Sequence, residues 1–168
     1  MKIYHIDMSG RFYEKKTCGI ACVNSLKTNH NGCALTHKLK RYIEKNLCIG
    51  EIKEDKARLY AICIYFLIKD KLEDIDTLII CNDESFIYVK EYLHFLLEDP
   101  SNKIKIKSIT EFQKKLGKKV KSIADNFANA YRKRALKPTK RNIGIKLKVV
   151  EINYNIVKDK WLYLDKIK

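Results

Sequence analysis

The run Thr77-Leu78-Ile79-Ile80-Cys81 constrains this chain most. It is β-branched and apolar with little polar alternation, the pattern of a strand covered on both faces. Such a strand needs helices on either side, as in an α/β layer architecture. Asn82-Asp83-Glu84-Ser85 then opens a helix over residues 86–97, whose Val89, Leu93 and Leu96 recur at helical spacing. The local order is strand, turn, helix.

The rest of the chain fills out the sheet. Residues 2–8 read as a short strand ending at the turn signal Ser9-Gly10, and residues 17–26 as a second. Asn29-His30-Asn31-Gly32 reads as a hairpin turn into a third strand from about Cys33, giving an antiparallel meander. Leu35, Leu39, Tyr42 and Ile43 also fit a helical stripe, so this third strand gives way early to helix. Residues 51–71 form the clearest helix of the first half, with acidic residues in the first turns, where the dipole favours them. Asp99-Pro100-Ser101-Asn102 breaks the next helix and residues 103–109 alternate as a strand. A last helix spans residues 111–136, with an interruption available at Gly117 and Pro138 to close it. Residues 144–157 and 161–167 read as two strands about the turn Lys158-Asp159-Lys160, a C-terminal β-hairpin.

A length of 168 residues with 46% hydrophobic content supports one buried core and not two comfortable domains. The expected organisation is therefore a domain over residues 1–141 with residues 142–168 as a hairpin extension of it. No apolar run approaches the length of a membrane span. The first ten residues, MKIYHIDMSG, lack a basic region followed by an apolar block, so a cytoplasmic location is expected. Cys18, Cys22, Cys33, Cys48, Cys63 and Cys81 sit among apolar neighbours and read as buried free thiols. Cys18, Cys22, His30, Cys33 and His37 superficially suggest zinc, but strand residues four apart are separated by about 13 Å and cannot share one ion.

Charge is the strongest functional signal in the composition. Lys and Arg number 35 against 20 Asp and Glu, a formal charge of +15. An excess of this size points to a polyanionic partner, nucleic acid first. No Gly-rich phosphate loop or nucleophile motif supports a metabolic enzyme on another α/β scaffold.

Three aspartates stand out. Asp7 lies inside a strand whose neighbours Ile3, Tyr4, Ile6 and Met8 leave neither face wet. An ionised carboxylate there is costly unless it is paired, hydrogen-bonded or metal-bound, although an Asp before Ser9-Gly10 also suits a turn cap. Asp83 follows the buried run at the carboxyl end of its strand, where it caps the next helix or binds a cation. Asp125 sits at the edge of the small-residue stripe Ala124, Ala128 and Tyr131 or Ala135, a seam that lets a helix approach the sheet closely.

In that order, HIDMSG in the first strand, LIICNDES after a buried strand and IADNFANA in the last helix, the chain resembles the ribonuclease H-like superfamily over residues 1–136. The most specific piece is the Ala-Asp-x-x-Ala-x-x-Ala pattern at Ala124, Asp125, Ala128 and Tyr131, matched except at its last small residue. The resemblance implies a mixed five-stranded sheet, an antiparallel meander followed by parallel strands, flanked by helices. It also implies a metal-binding and catalytic set of Asp7, a glutamate near Glu54, Asp83 and Asp125. The chain departs from the family in reading Ala57-Arg58-Leu59-Tyr60-Ala61, with Arg58 where glutamate is expected; Glu54 lies one turn earlier, and Glu51 another turn back. Glu84 adds a ligand or belongs to the first helical turn. No histidine follows His94, so the family's loop histidine is missing.

The implied chemistry is phosphodiester hydrolysis with two Mg²⁺ or Mn²⁺ ions in RNA, RNA–DNA hybrid or structured DNA, because hard cations held close together need several carboxylates. Lys114, Lys115, Lys118, Lys119 and Lys121, with Arg132, Lys133 and Arg134, are the expected contacts to the phosphate backbone. Tyr88, Tyr92 and Tyr131 either stack on bases or belong to the core. The alternative on the same fold is a non-catalytic nucleic-acid-binding module, with Arg58 marking loss of the metal site.

Overall fold

The structure, a computed structural model, describes residues 1–98, 103–136 and 146–167, with the side chains of 134–136 excepted. Five strands form one mixed sheet. β1 (Ile3–Ser9), β2 (Cys18–Asn24) and β3 (His30–Leu35) make the antiparallel meander, and β4 (Thr77–Ile80) and β5 (Lys105–Ser108) add in parallel beyond β1. The spatial order is β3-β2-β1-β4-β5, so β1 lies at the centre with β4 beside it.

Alternation along β1 splits the interior in two. Tyr4, Ile6 and Met8 join the larger core beneath α1 (His37–Leu47), α2 (Ile52–Ile68) and α3 (Phe86–Leu97). On the other face Ala21 and Val23 of β2 meet Ala124, Ala128 and Tyr131 of the final-helix region, with Leu147. All four residues of β4 are buried, as its unbroken apolar run requires.

The meander turns earlier than its Asn-His-Asn-Gly run suggests. β2 ends at Asn24, whose carboxamide oxygen accepts from the Thr28 and Asn29 N–H groups at 2.9 Å each, and β3 already begins at His30. Thr36 caps α1 by accepting from Leu39 N–H, which fixes the point where strand becomes helix.

The long last helix is two helices. α4 (Ile109–Leu116) starts at a Ser108/Glu111 capping box and stops at Gly117, whose φ of 66° suits a residue without Cβ. α5 (Asp125–Leu136) then lies across the antiparallel half of the sheet. It approaches so closely that a Cβ on Gly19 would strike the backbone of Ala128 and Arg132.

The expected C-terminal hairpin is instead a helix, α6 (Tyr154–Ile167). Its buried residues Val157, Trp161 and Leu164 fall at helical spacing, and Asn153 supplies the N-cap by accepting from Ile156 N–H at 3.1 Å. The β-branched and aromatic residues suggested strands, but their burial follows the helical period. α6 packs against α2, α1 and α3. The break expected at 99–102 and the Pro138 stop lie outside the described residues. No helix among those residues is long and apolar enough to cross a membrane.

Candidate metal centre

Parallel pairing of β1 with β4 brings the two strand-end aspartates together. The register matches Ile6 to Ile80, and Cys81 N–H donates to the Ile6 carbonyl at 3.0 Å, so the pairing runs on just past β4. Ligand atoms of Asp7, Cys81 and Asp83 consequently lie within 4.8 Å of one another. This is the one group of three or more such side chains with ion-binding spacing among the described residues.

Asp7 is buried, and Cys81 and Asp83 are half-buried. Asp7 is 6% exposed; its Oδ1 accepts from Met8 N–H at 2.8 Å, and its carboxylate also accepts from the Ser122 hydroxyl. Asp83 shares a hydrogen bond with Asp7 and accepts from Met8 N–H, yet its Oδ2 is buried without a hydrogen-bond partner among the described residues. Burial raises the Asp7 carboxyl above the usual range against the pull of these donors. Burial first, and then the charge of Asp7 and the hydrogen bond with it, push Asp83 up to about 7. Each acid, by its charge or its hydrogen bond, shifts the other's titration, and burial disfavours the charged form of both. The Cys81 thiol is held protonated by burial and by the same negative neighbours.

Helix α2 closes the pocket from below with residues that sequence reasoning did not single out. Tyr60 is fully buried, its hydroxyl has no hydrogen-bond partner among the described residues, and burial raises its pKa, with Asp83, Cys81, Asp7 and Glu84 adding to the effect. One turn earlier Lys56 stands near Glu84, whose carboxyl is raised by burial and lowered by Lys56 and Arg11. α2 therefore turns a phenol and an ammonium toward the acids.

The glutamate and arginine of the resembling motif face elsewhere. Glu54 Oε1 accepts from the Tyr92 hydroxyl at 2.5 Å, toward α3. Arg58 is buried under α6, donating to the Trp161 carbonyl at 2.5 Å and to Asp165 at 2.6 Å, with its guanidinium 4.4 Å from the Trp161 ring centroid. Asp125 stands at the start of α5 in an exposed pair with Lys121 at 2.8 Å. The structure thus gathers Asp7 and Asp83 and does not bring Glu54 or Asp125 into the group. Ser122, three residues before Asp125, is what reaches Asp7 from this side. Glu51 and Glu84 line an open groove in front of Asp83.

Lys114, Lys115, Lys118, Lys119 and Lys121 are exposed on α4 and the link after it. Arg132 lies against the Gly10 turn with its Nε buried and unpartnered among the described residues. Lys133 is exposed, and the Arg134 side chain lies outside the described residues. Tyr92 and Tyr131 are core residues, 1% and 2% exposed, and Tyr88 is half-buried. All six cysteines are free, and Cys18, Cys22, Cys33 and Cys63 are buried. Comparison with protein families, with curated sequences and with solved structures finds no match to this chain.

Proposed function

We propose that this chain is a ribonuclease H-like, divalent-metal-dependent phosphodiesterase acting on nucleic acid. The observation that carries the reading is the meeting of Asp7 and Asp83, from the ends of neighbouring parallel strands, in one half-buried group with a carboxylate oxygen that has no hydrogen-bond partner among the described residues. The strand order β3-β2-β1-β4-β5, antiparallel then parallel, supports the fold half of the reading.

The donor set suits a hard cation. Two carboxylates this close accept a doubly charged ion, and Mg²⁺ is commonly bound through one or two carboxylates with the remaining positions left to water and phosphate. Bound there, Mg²⁺ or Mn²⁺ would polarise a phosphoryl oxygen and acidify a water. Asp7 and Asp83 would hold it, with Ser122 and Met8 N–H orienting Asp7 and the protonated Cys81 thiol beside them. With Glu54 on Tyr92 and Asp125 on Lys121, the reading is of one ion on the two aspartates, in place of the two ions expected from four carboxylates. A charge of +15 fits a phosphate backbone as substrate: RNA, hybrid or structured DNA.

One feature favours the second reading, a non-catalytic nucleic-acid-binding module. α2 directs Lys56 and Tyr60 toward the acids, while its Glu54 turns to Tyr92. A cleavage screen over hybrid, duplex, single-stranded and junction substrates separates the two. The nuclease reading expects Mg²⁺- or Mn²⁺-dependent cleavage that Asp7→Asn and Asp83→Asn each abolish in folded protein. Binding that falls steeply with salt, ignores chelator and ignores both substitutions selects the binding module.

A further inference from the structure

In front of Asp83 an open groove of about 480 Å³ is lined by the cations Arg11, Lys53 and Lys56, by the acids Glu51, Asp83 and Glu84, and by Tyr13. The three cations share this lining with Asp83, and Arg11 and Lys56 act on Glu84. Tyr13 is 59% exposed, and the Lys56 ammonium sits 4.1 Å from its ring centroid.

The loop that carries Arg11 and Tyr13 is held in place. Lys40 of α1, 4% exposed, donates to the carbonyls of Arg11, Glu14 and Lys16 at 2.7, 2.8 and 2.5 Å. Phe12 between them is buried edge-on to Tyr60, so the loop is anchored by its middle residue and its carbonyls while Arg11 and Tyr13 project outward. An exposed apolar ring on a fixed loop beside several cations is the combination that binds an unpaired base and its phosphate.

From this we infer that the groove is a binding site for single-stranded nucleic acid, with an unpaired base stacked on Tyr13 and backbone phosphates held by Arg11, Lys53 and Lys56, leading the strand to Asp83. The inference rests on the proposed nuclease reading for the destination of the strand, and on the groove alone for binding. The groove lies on the α2 side of the sheet, whereas the lysines expected from sequence lie on the α4–α5 side. Its discriminating element is Tyr13, because cations alone bind duplex as readily as single strand.

The test is fluorescence anisotropy with a labelled ten-nucleotide single strand and a blunt duplex of the same sequence. It is run in EDTA on the full chain carrying Asp7→Asn, so that neither metal nor cleavage enters. Tyr13→Ala should weaken single-strand binding about tenfold and leave duplex binding unchanged, as expected for loss of one stacked base. Lys53→Gln with Lys56→Gln should lower the slope of log affinity against log salt by about 1.4, two contacts at about 0.7 each. Single-strand affinity and salt slope that are unchanged in both variants overturn the inference, as does an equal loss for duplex in Tyr13→Ala. All three positions are at least partly exposed, and a thermal melt of each variant confirms folding. If wild type lacks metal-dependent cleavage but these binding losses occur, the groove stands and only the nuclease reading falls. If wild type cleaves and the variants bind as the parent does, the groove falls alone.

Discussion

Asp83 is the residue whose charge state most depends on its surroundings, and that has a measurable consequence. Its folded-state pKa of about 7 is raised above the ordinary aspartate value of about 3.9. A raised carboxyl pKa means that the folded state binds the proton more tightly than the unfolded one. Its contribution to stability is therefore fully present below about pH 4 and is lost as pH rises through about 7. In chelator, wild type should lose more melting temperature between pH 4 and 7.5 than Asp83→Asn does; parallel curves would show that the Asp83 carboxyl is not raised. Tyr60 gives a second prediction at this scale. A buried hydroxyl without a partner costs desolvation and returns nothing, so Tyr60→Phe should be neutral or stabilise the metal-free protein by up to about 1 kcal/mol in urea melts. A loss above about 1 kcal/mol would mean that the hydroxyl is satisfied. Asp7 and Asp83 were legible in the sequence because a carboxylate amid apolar residues is conspicuous. Ser122, Cys81 and Tyr60 are unremarkable residues that matter only because β1, β4 and α2 converge on one point, and no local pattern marks that convergence.

Among the elements, α2 shows why a motif at the right spacing does not fix the face it occupies. Glu54 and Arg58 are one turn apart and share a face, as expected, but α3 and α6 cover that face. Arg58→Glu should therefore restore no metal binding. It should cost stability by about 2 kcal/mol or more in urea denaturation, by losing charge-assisted bonds to the Trp161 carbonyl and Asp165 and burying a carboxylate in their place. Lys56→Glu, on the face that meets the acids, should instead tighten Mn²⁺ binding without loss of fold. Metal binding gained by Arg58→Glu and not by Lys56→Glu would reverse this assignment of faces. The seam of α5 makes a separate demand. Gly19→Ala places a methyl against the α5 backbone and should destabilise by about 1–3 kcal/mol; a neutral result would mean that α5 stands further from β2. The central strands and α2 could be read from unbroken apolar runs buried on every side, and α3 from its stripe of Val89, Leu93 and Leu96. α6 could not, since residues that favour strands also fill a helical stripe once α2 supplies Arg58 to its last turns. The split between α4 and α5 was signalled by Gly117, a residue suited to a left-handed helix end.

On the scale of the whole molecule, one sheet sorts the chemistry by position. Apolar faces hold the helices, while the carboxyl ends of β1 and β4 carry the acids between a groove of mixed charge on the α2 side and exposed lysines beyond α4. Acids that would repel one another and cations that would repel one another are placed side by side, an arrangement that suits a divalent ion and a polyanion arriving together. Titration calorimetry of Mn²⁺ into chelator-treated protein at pH 7.5 tests this most directly. The wild type should bind one ion, and neither Asp7→Asn nor Asp83→Asn should bind it. A wild type that takes up no manganese, or two folded variants that bind it as the wild type does, would contradict a metal centre at these strand ends.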